Sequence, residues 1–424
     1  MIKGEHTMSV IRDHETLQKV VTEKLNGTPA FDIHTHLYSE EFGDLVLRGP
    51  EALLTYHYLR AEVNRVIDAV SPRELTKMPR PEQARLVWQE LFEKRSPISE
   101  ATRGVVTALS HLGVSNPRDY EAARDHFAGL SCREHIDLVF RTANVSAVVM
   151  TNDPFDGAEA PLWLSGKRID PRFRGALRID DLLVNWPTTY PLVRNMGYDV
   201  EQHLTGNTLL EVMRFLEEWA HRMNAVYMAA SLPDYFRMPD PAVWSTLIAE
   251  CVVPVCRKLN LPFAMMIGVR RRVFPELADA GDAVKKADLD AVTYLCRTYP
   301  HNKFMLTVLS RENQHEAVAI ARKCRNLHVF GCWWFNNNPS IIEEITRERI
   351  EMLGTSVTPV HSDARILDQM VYKWAHSRKI VGQVLVEKYR YLIDERWFPT
   401  EDEIARDVAM LLGGEFQRFS SARM

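Results

Sequence analysis

Apolar and polar residues follow two different rhythms along this chain. Residues 13–26 place apolar side chains at helical intervals, and Gly27 and Pro29 end that pattern, so a helix is predicted there. The next segment, PAFDIHTHL, is a short strand candidate. From about residue 40 to 142 the pattern is helical again and almost free of period-two alternation. This stretch predicts an inserted helical subdomain after the first strand.

Beyond residue 142, short apolar or β-branched runs alternate with amphipathic segments. Together with AFDIHTH, the strand candidates are VSAVVMTND, FRGALRID, NAVYMAASL, LPFAMMIGV, NKFMLTVLS, LHVFGCWWF and TSVTPVHSD. Alternating strands and helices are typical of a parallel sheet covered by helices, and a count of eight favours a closed (β/α)8 TIM barrel over a doubly wound sheet. The sequence contains neither GxGxxG nor GxxxxGK[ST], which argues against nucleotide binding through those loops.

The pattern divides the chain into three parts. Residues 1–39 are expected to form an N-terminal helix and the first barrel strand, residues 40–142 the helical subdomain, and residues 143–424 the rest of the barrel with closing helices. No Gly/Ser linker separates them, so we expect the subdomain to pack on the barrel. Met8 is an alternative start, which would make MIKGEHT a dispensable leader.

Composition narrows the class of protein further. Lys and Arg number 52 against 56 Asp and Glu, so no basic field indicates nucleic acid or acidic lipid as a partner. No stretch approaches the ~18 apolar residues of a membrane span, and six cysteines are scattered without a CxxC pair. We therefore expect a soluble cytoplasmic protein with reduced thiols, and any anionic ligand must be bound by local arginines.

Two histidines and a distant aspartate form the strongest candidate for chemistry. His34 and His36 lie two apart in the first strand and so face the same side, the barrel interior. Asp363 follows the last strand, which neighbours the first in a closed barrel. The three predict a divalent metal site with open positions, or a metal-bound histidine pair with Asp363 as a general base. The alternatives are a pair of polar core histidines and an aspartate that caps a helix near Arg365.

The segments DIHTHL, TYHYLRAE, VVMTNDPFD, SRENQ, FGCWWFNN and SDAR occur in this order. In this combination the chain resembles the uronate isomerases, a branch of the amidohydrolase superfamily of metal-binding (β/α)8 barrels, over about residues 13–415. The resemblance implies a barrel of the metal-dependent hydrolase type. It also implies an aldose–ketose isomerase of sugar-acid catabolism, which converts D-glucuronate to D-fructuronate and D-galacturonate to D-tagaturonate by proton transfer through a cis-enediol.

The resemblance also implies roles for individual residues. His34 and His36 match metal ligands of the family, and Asp363 matches the aspartate that lies at the metal and transfers the proton. Arg365 would stabilise the charge that develops on the enediol oxygens. Tyr58, with His57 beside it, matches a tyrosine that is a candidate acid/base for the hydroxyl protons; without the resemblance, Tyr58 would be an amphipathic helix residue.

Further residues would recognise the sugar acid. Arg178 and Arg311 match family arginines at strand ends, where they would bind the substrate carboxylate. Trp333 and Trp334 would lie against the sugar, although at least one of them is expected to fill the core instead. The run Arg270–Arg272 is expected to be a solvated loop.

One position departs from the family pattern. Met266 stands where many uronate isomerases have a histidine in the fifth strand, and a thioether is a poor ligand for such an ion. We therefore expect a single divalent ion, with Zn²⁺ as the first candidate. The sequence does not distinguish glucuronate from galacturonate as the substrate, and it does not fix the oligomeric state. The helical insertion is a plausible contact surface for a homo-oligomer.

Two other functions compete with isomerisation. A metal-dependent hydrolase or decarboxylase shares the barrel and the His-x-His pair, but hydrolysis usually needs further histidines, and FMLTVLSRE has none. A non-catalytic barrel that binds a sugar acid would have little reason to keep His34, His36, Tyr58, Asp363 and Arg365 together. We therefore expect an enzyme with a small hexuronate as its partner.

Overall fold

A curled sheet of parallel strands lies at the centre of the computed structural model, in which residues 10–424 are described. The strands are β1 (Ala30–Thr35), β2 (Val145–Asn152), β3 (Phe173–Arg178), β4 (Met228–Pro233), β5 (Phe263–Arg270), β6 (Ala283–Val284), β7 (Phe304–Val308) and β8 (Leu327–Val329). Their order is β1-β2-β3-β4-β5-β7-β8, all parallel, and β6 pairs antiparallel with β5. The expectation about Met8 and its leader lies outside the described residues.

The sheet closes through a segment that is not a regular strand. Thr358 bridges Phe330 in parallel register, and its carbonyl accepts from the Gly331 amide at 2.7 Å. On the other side, the Asp363 amide donates to the His34 carbonyl at 3.2 Å, and the His36 amide to that of Ala364 at 2.8 Å. The predicted (β/α)8 barrel is confirmed, but its eighth candidate strand is irregular because Pro359 lacks an amide donor and Asp363 has φ +50°.

Helices fill the interval between β1 and β2, as the apolar periodicity predicts. They are α2 (Gly49–Leu54), α3 (His57–Asn64), α4 (Pro72–Lys77), α5 (Arg80–Trp88), α6 (Glu100–His111), α7 (Tyr120–Ala128) and α8 (Cys132–Ala143). These helices share one continuous apolar core with the helices of the barrel. Among their side chains, the core includes Leu53, Leu75, Val87, Val105 and Phe127. The boundaries at residues 40 and 142 stay a prediction.

The remaining helices surround the barrel. The predicted N-terminal helix is confirmed as α1 (His14–Gly27), which Asp13 caps through the Thr16 amide. The others are α9 (Ala160–Ser165), α10 (Asp180–Val184), α11 (Trp186–Asn195), α12 (Thr208–Arg222), α13 (Val243–Leu247), α14 (Val253–Leu259), α15 (Asp290–Thr298), α16 (Gln314–Ala321), α17 (Pro339–Leu353), α18 (Gln369–Asp394), α19 (Glu401–Ala409) and α20 (Glu415–Ser421). Among the helices of residues 10–424, none is both long and apolar enough to pass through a membrane.

The two ends of the barrel are built differently. At the amino ends of the strands, Phe416 of α20 packs against Phe31 and Tyr227, with ring centroids 5.8 and 6.1 Å away. At the carboxyl ends, residues 271–282 form a loop between β5 and β6. Asp279 of this loop forms an ion pair with Arg60 of α3. The carboxyl end therefore keeps a recess bounded by the loop and the inserted helices.

We predict that Gly331→Ala destabilises the closure between β8 and residues 357–364. Gly331 has φ +63°, and an added Cβ would lie 1.6 Å from Nδ1 of His361. The left-handed backbone and the overlap together should lower the free energy of unfolding by about 3 kcal/mol, measured by urea denaturation.

Gly166→Ala is the matched control for this prediction. Gly166 has a similar φ of +66°, but nothing lies within 4 Å of an added Cβ. The free energy of unfolding of this variant should fall by only about 1 kcal/mol, because alanine is strained in the left-handed backbone conformation but meets no neighbouring atom. Equal losses in the two variants would show that the closure tolerates the displacement of His361.

Candidate active site

A polar recess at the carboxyl ends of the barrel strands collects most of the predicted site residues. It is lined by His36, Tyr56, His57, Arg178, Ser231, Met266, Arg271, Trp333, Trp334, Asp363 and Arg365. His34 lies directly below, fully buried against the same aspartate. Barrel enzymes hold their active sites at this end because side chains from several strands converge there.

His34, His36 and Asp363 form a compact group of metal-ligating atoms. Nε2 of His34 lies 3.6 Å from Oδ1 of Asp363, and Nε2 of His36 lies 3.4 Å from the same oxygen. Neither His34 Nε2 nor Asp363 Oδ1 has a hydrogen-bond partner, although both atoms are buried. Buried polar atoms are rarely left unpaired, and two imidazole nitrogens with a carboxylate oxygen suit a divalent cation. The residues therefore fit a metal.

Hydroxyl groups fix the tautomers of both histidines. The Tyr227 hydroxyl donates to the Ile33 carbonyl at 2.9 Å, so its oxygen accepts from Nδ1–H of His34 at 3.2 Å. Thr151 repeats this arrangement: its hydroxyl donates to the Thr35 carbonyl at 3.1 Å and accepts from His36 Nδ1–H at 2.8 Å. Each hydroxyl proton is used by a carbonyl, so the lone pair of each Nε2 points into the site.

The environment keeps both imidazoles neutral. Burial lowers the pKa of His34 to about 3, although the Asp363 carboxylate opposes that shift. Burial also lowers the pKa of His36 well below its usual range, and the positive charge of Arg365 adds to the effect. Neutral imidazole is the form that binds a metal ion.

The closure segment presents Asp363 in an uncommon backbone conformation. Asp363 has φ +50° and Trp334 has φ +42°, a region that bulky side chains rarely adopt. The two residues meet, because the Trp334 amide donates to Oδ2 of Asp363 at 3.3 Å. Helix α18 begins only at Gln369, so Asp363 does not cap it, contrary to that alternative. Strain of this kind is commonly retained where it positions a functional group.

Three arginines surround the recess. Arg178 is bidentate to Asp180, with N–O distances of 2.8 and 3.1 Å. Arg271 pairs with Asp282 through Nη1 at 2.7 Å. Within residues 10–424, the guanidinium of Arg365 makes no hydrogen bond or ion pair with the protein. The recess therefore offers guanidinium N–H donors, of which those of Arg365 are not used by the protein, and such donors suit an anionic molecule.

Two arginine positions differ from the sequence-based predictions. The run Arg270–Arg272 is not wholly a solvated loop, because Arg271 turns inward and lies over the Trp334 ring at 5.9 Å. Sequence reasoning missed it because three adjacent arginines give no sign of which one faces the barrel. Arg311, in contrast, does not reach the recess: it is exposed and bidentate to Glu344 of α17, at 2.9 and 2.8 Å. This geometry gives its predicted substrate-binding role no support.

Aromatic residues complete the wall. Both ring nitrogens of His57 and Nε1 of Trp334 are buried without a hydrogen-bond partner, and the two rings lie 5.5 Å apart. Trp333 and Trp334 are both buried in the apolar barrel core, as expected for at least one of them, and both also line the recess. Tyr56 lines the recess directly and was not predicted, because residues two apart at a helix start face different sides and Tyr58 therefore gave no sign of it.

Tyr58 lies behind the recess wall. Its ring packs against the barrel core and stands 4.8 Å from the Tyr56 ring. Burial raises the pKa of Tyr58 well above its usual range, and the neighbouring Tyr56 and Asp363 raise it further. The phenol therefore stays protonated at neutral pH and can exchange its proton only in concert with a partner.

The chain was compared with known proteins. Neither a family model nor a curated protein matches it. The crystal structure of a uronate isomerase from Bacillus halodurans C-125 matches with 51% sequence identity, a TM-score of 0.95, and coverage of 97% of this chain and 98% of that chain.

More distant structures share the fold. A uronate isomerase from Thermotoga maritima is 14% identical with a TM-score of 0.76, covering 99% of both chains. A glucuronate isomerase from Caulobacter crescentus is 15% identical with a TM-score of 0.72, covering 100% of this chain and 98% of that one. The identity to the Bacillus protein over nearly the whole chain carries the assignment: this chain belongs to the uronate isomerase family and is an isomerase.

Proposed function

We propose that this enzyme interconverts hexuronates and their ketoses, D-glucuronate with D-fructuronate or D-galacturonate with D-tagaturonate, through a cis-enediol. The observation that carries the proposal is a carboxylate, Asp363, held beside two neutral imidazoles inside a ring of three guanidinium groups. Isomerisation needs a base that removes a proton from C2 and returns it to C1, and one carboxylate on one face of the enediol can do both.

The proposed steps use the residues of the recess. The Asp363 carboxylate takes the C2 proton while the C1 carbonyl gains a proton, which gives the enediol. Loss of the O2 proton and return of a proton from Asp363 to C1 then give the ketose, so no external reactant is consumed. Arg365 stabilises negative charge on the enediol oxygens. His57, which lines the recess, is the proposed group that exchanges the hydroxyl protons with the substrate. Tyr58, whose ring centroid lies 4.6 Å from that of His57, is proposed as its acid/base partner behind the wall.

The substrate carboxylate is proposed to bind at the arginines. Arg178 is already bidentate to Asp180, whereas Arg271 engages Asp282 through Nη1 and keeps other N–H donors free. We assign Arg271 the main contact with the carboxylate and Arg178 a supporting charge. Nε1 of Trp334, which lacks a partner, is the proposed donor to a sugar hydroxyl.

We further propose one Zn²⁺ ion held by His34, His36 and Asp363. Such an ion supplies a Lewis acid that polarises the substrate carbonyl and hydroxyl oxygens. Among the described residues, this group of three is the one whose ligating atoms all lie within 4.8 Å of one another. Met266 on the same wall adds only a thioether, a poor ligand for this ion.

The cellular setting is also a proposal. All six cysteines are free, which supports a reducing, cytoplasmic location. The proposed partner is a small hexuronate rather than nucleic acid or a membrane, and a homo-oligomer is compatible with the exposed helical surface between β1 and β2.

The experiment that tests the function is an assay with D-glucuronate and D-galacturonate in D2O. We expect ketose to form from at least one acid, with deuterium at C1 because Asp363 exchanges its proton with solvent in the enediol state. Asp363→Asn should lower kcat by at least about a thousandfold, since the amide cannot accept the proton. Mass spectrometry and NMR of the product provide the measurement.

Asp394→Asn is the control, because Asp394 lies on the surface at the end of α18 and contacts only His14. It should turn over like the wild type. Near wild-type turnover by Asp363→Asn would remove Asp363 from the role of base, and no ketose from either acid would contradict the proposed substrates.

Arg271→Met should weaken substrate binding. It removes a charge-assisted contact, so we expect KM to rise about tenfold to a hundredfold. Arg406→Met is the control for loss of an arginine, because Arg406 is exposed on α19 and its side chain pairs only with Asp407. Its KM should stay within about twofold of the wild type. Equal KM values for the two variants would place the carboxylate elsewhere.

The hydroxyl groups behind the histidines should control metal affinity. Tyr227→Phe and Thr151→Val each remove the acceptor that fixes a histidine tautomer, so the affinity for Zn²⁺ should fall about tenfold to a hundredfold. Titration of metal-free protein against a competing chelator measures this. Tyr198→Phe removes a hydroxyl that contacts Glu218 far from the site, and its affinity should be unchanged. Unchanged affinity in all three variants would contradict the assigned ligand orientation.

A further inference from the structure

A buried lysine lies behind the active site and has no part in the chemistry described so far. Lys373 belongs to α18, and its side chain is 3% exposed. Its ammonium donates to Oε1 of Glu100 at 2.8 Å and to the Asn337 carbonyl at 3.3 Å. It also lies 5.6 Å from the centre of the Tyr58 ring. One charge thus contacts the inserted helices, the loop after β8 and the proposed proton-exchanging tyrosine.

Asn337 connects this lysine to the segment that carries Asp363. The Asn337 side chain donates from Nδ2 to the carbonyls of His361 and Ser362, at 3.1 and 3.3 Å. These carbonyls immediately precede Asp363, whose left-handed backbone needs support. Lys373 is therefore linked to the segment of the proposed base by two successive hydrogen bonds through Asn337. Its ammonium also lies next to the Tyr58 ring itself.

An ion pair at this position is not explained by stability alone. Removing an ammonium and a carboxylate from water has a large desolvation cost, and apolar side chains of similar volume often serve as well or better. The ammonium does provide two directional contacts. It donates a hydrogen bond to the Asn337 carbonyl, and it places a positive charge near the face of the Tyr58 ring. Both contacts restrict the positions of groups whose misplacement by about 1 Å would slow the reaction.

We propose that Lys373 is a positioning residue that holds Tyr58 and the Asp363 segment in register for catalysis, while Glu100 balances its charge. This inference rests on the proposed roles of Asp363 and Tyr58 in hexuronate isomerisation. It predicts that loss of the ammonium slows the chemical step and leaves substrate binding, which depends on the arginines across the recess, nearly intact.

The test compares Lys373→Met with the double variant Lys373→Met/Glu100→Gln. Both variants should lose about tenfold to a hundredfold in kcat with KM within about threefold of the wild type. The single variant leaves Glu100 without its cation and should unfold at a lower temperature. The double variant removes the unpaired carboxylate and should regain thermal stability without regaining kcat. Steady-state kinetics and thermal denaturation of the same preparations supply both readouts.

Lys379→Met is the control for a lysine change on the same helix, because the Lys379 side chain is exposed and points about 120° around α18 from Lys373. A double variant whose kcat returns together with its stability would show that Lys373 is only structural, and the proposal would be wrong. A wild-type enzyme that converts neither hexuronate would instead refute the proposed function, and the role of Lys373 in it. The two failures are therefore distinguishable.

Discussion

The hydrogen bonds that close the barrel between β1 and residues 361–364 determine the site. The Asp363 amide binds the His34 carbonyl, and the His36 amide binds the Ala364 carbonyl, so the two ends of the sequence interlock residue by residue. This register places one carboxylate between two imidazoles. Asp32 reinforces it from below, because its carboxylate accepts from the Ser362 amide and from the Trp374 indole, at 3.1 and 2.8 Å. A slip of one residue would turn Asp363 away from both histidines.

The charge of the site follows from how deeply its groups are buried. Desolvation keeps the imidazoles of His34 and His36 neutral, whereas arginine stays charged at any physiological pH. Asp180 and Asp282 neutralise Arg178 and Arg271, whereas the guanidinium of Arg365 forms no ion pair within residues 10–424. A molecule that binds here must bring negative charge or electron-rich oxygens. A sugar acid has both, with the carboxylate at one end and the reacting oxygens at the other.

Local patterns predicted the fold and the centre of the site, but not its outer wall. The two-residue spacing of His34 and His36 needs only strand geometry, and the position of Asp363 needs only a closed eight-stranded ring. The positions of Arg271 and Arg311 could not be predicted in this way. The direction of a long side chain in a loop depends on its contacts in the folded protein, and the hydrophobic periodicity does not indicate those contacts. Asp282 and the Trp334 ring hold Arg271 inward, and Glu344 holds Arg311 outward. The irregular eighth strand likewise reflects the left-handed backbone of Asp363, which the hydrophobic pattern does not indicate.

A metal-dependent hydrolase, the alternative function that the sequence left open, would use the same kind of barrel and the same pair of histidines. Hydrolysis and isomerisation differ in how many protein side chains would bind the proposed metal ion. Hydrolysis relies on a tightly held metal that activates water, whereas isomerisation needs open positions for two adjacent substrate oxygens and a base beside them. Met266, in the middle of β5, lines the recess with a thioether instead of an imidazole and so would leave such positions free. With the proposed metal, Asp363 beside a sparsely ligated ion would thus be suited to moving protons within a sugar rather than to splitting a bond.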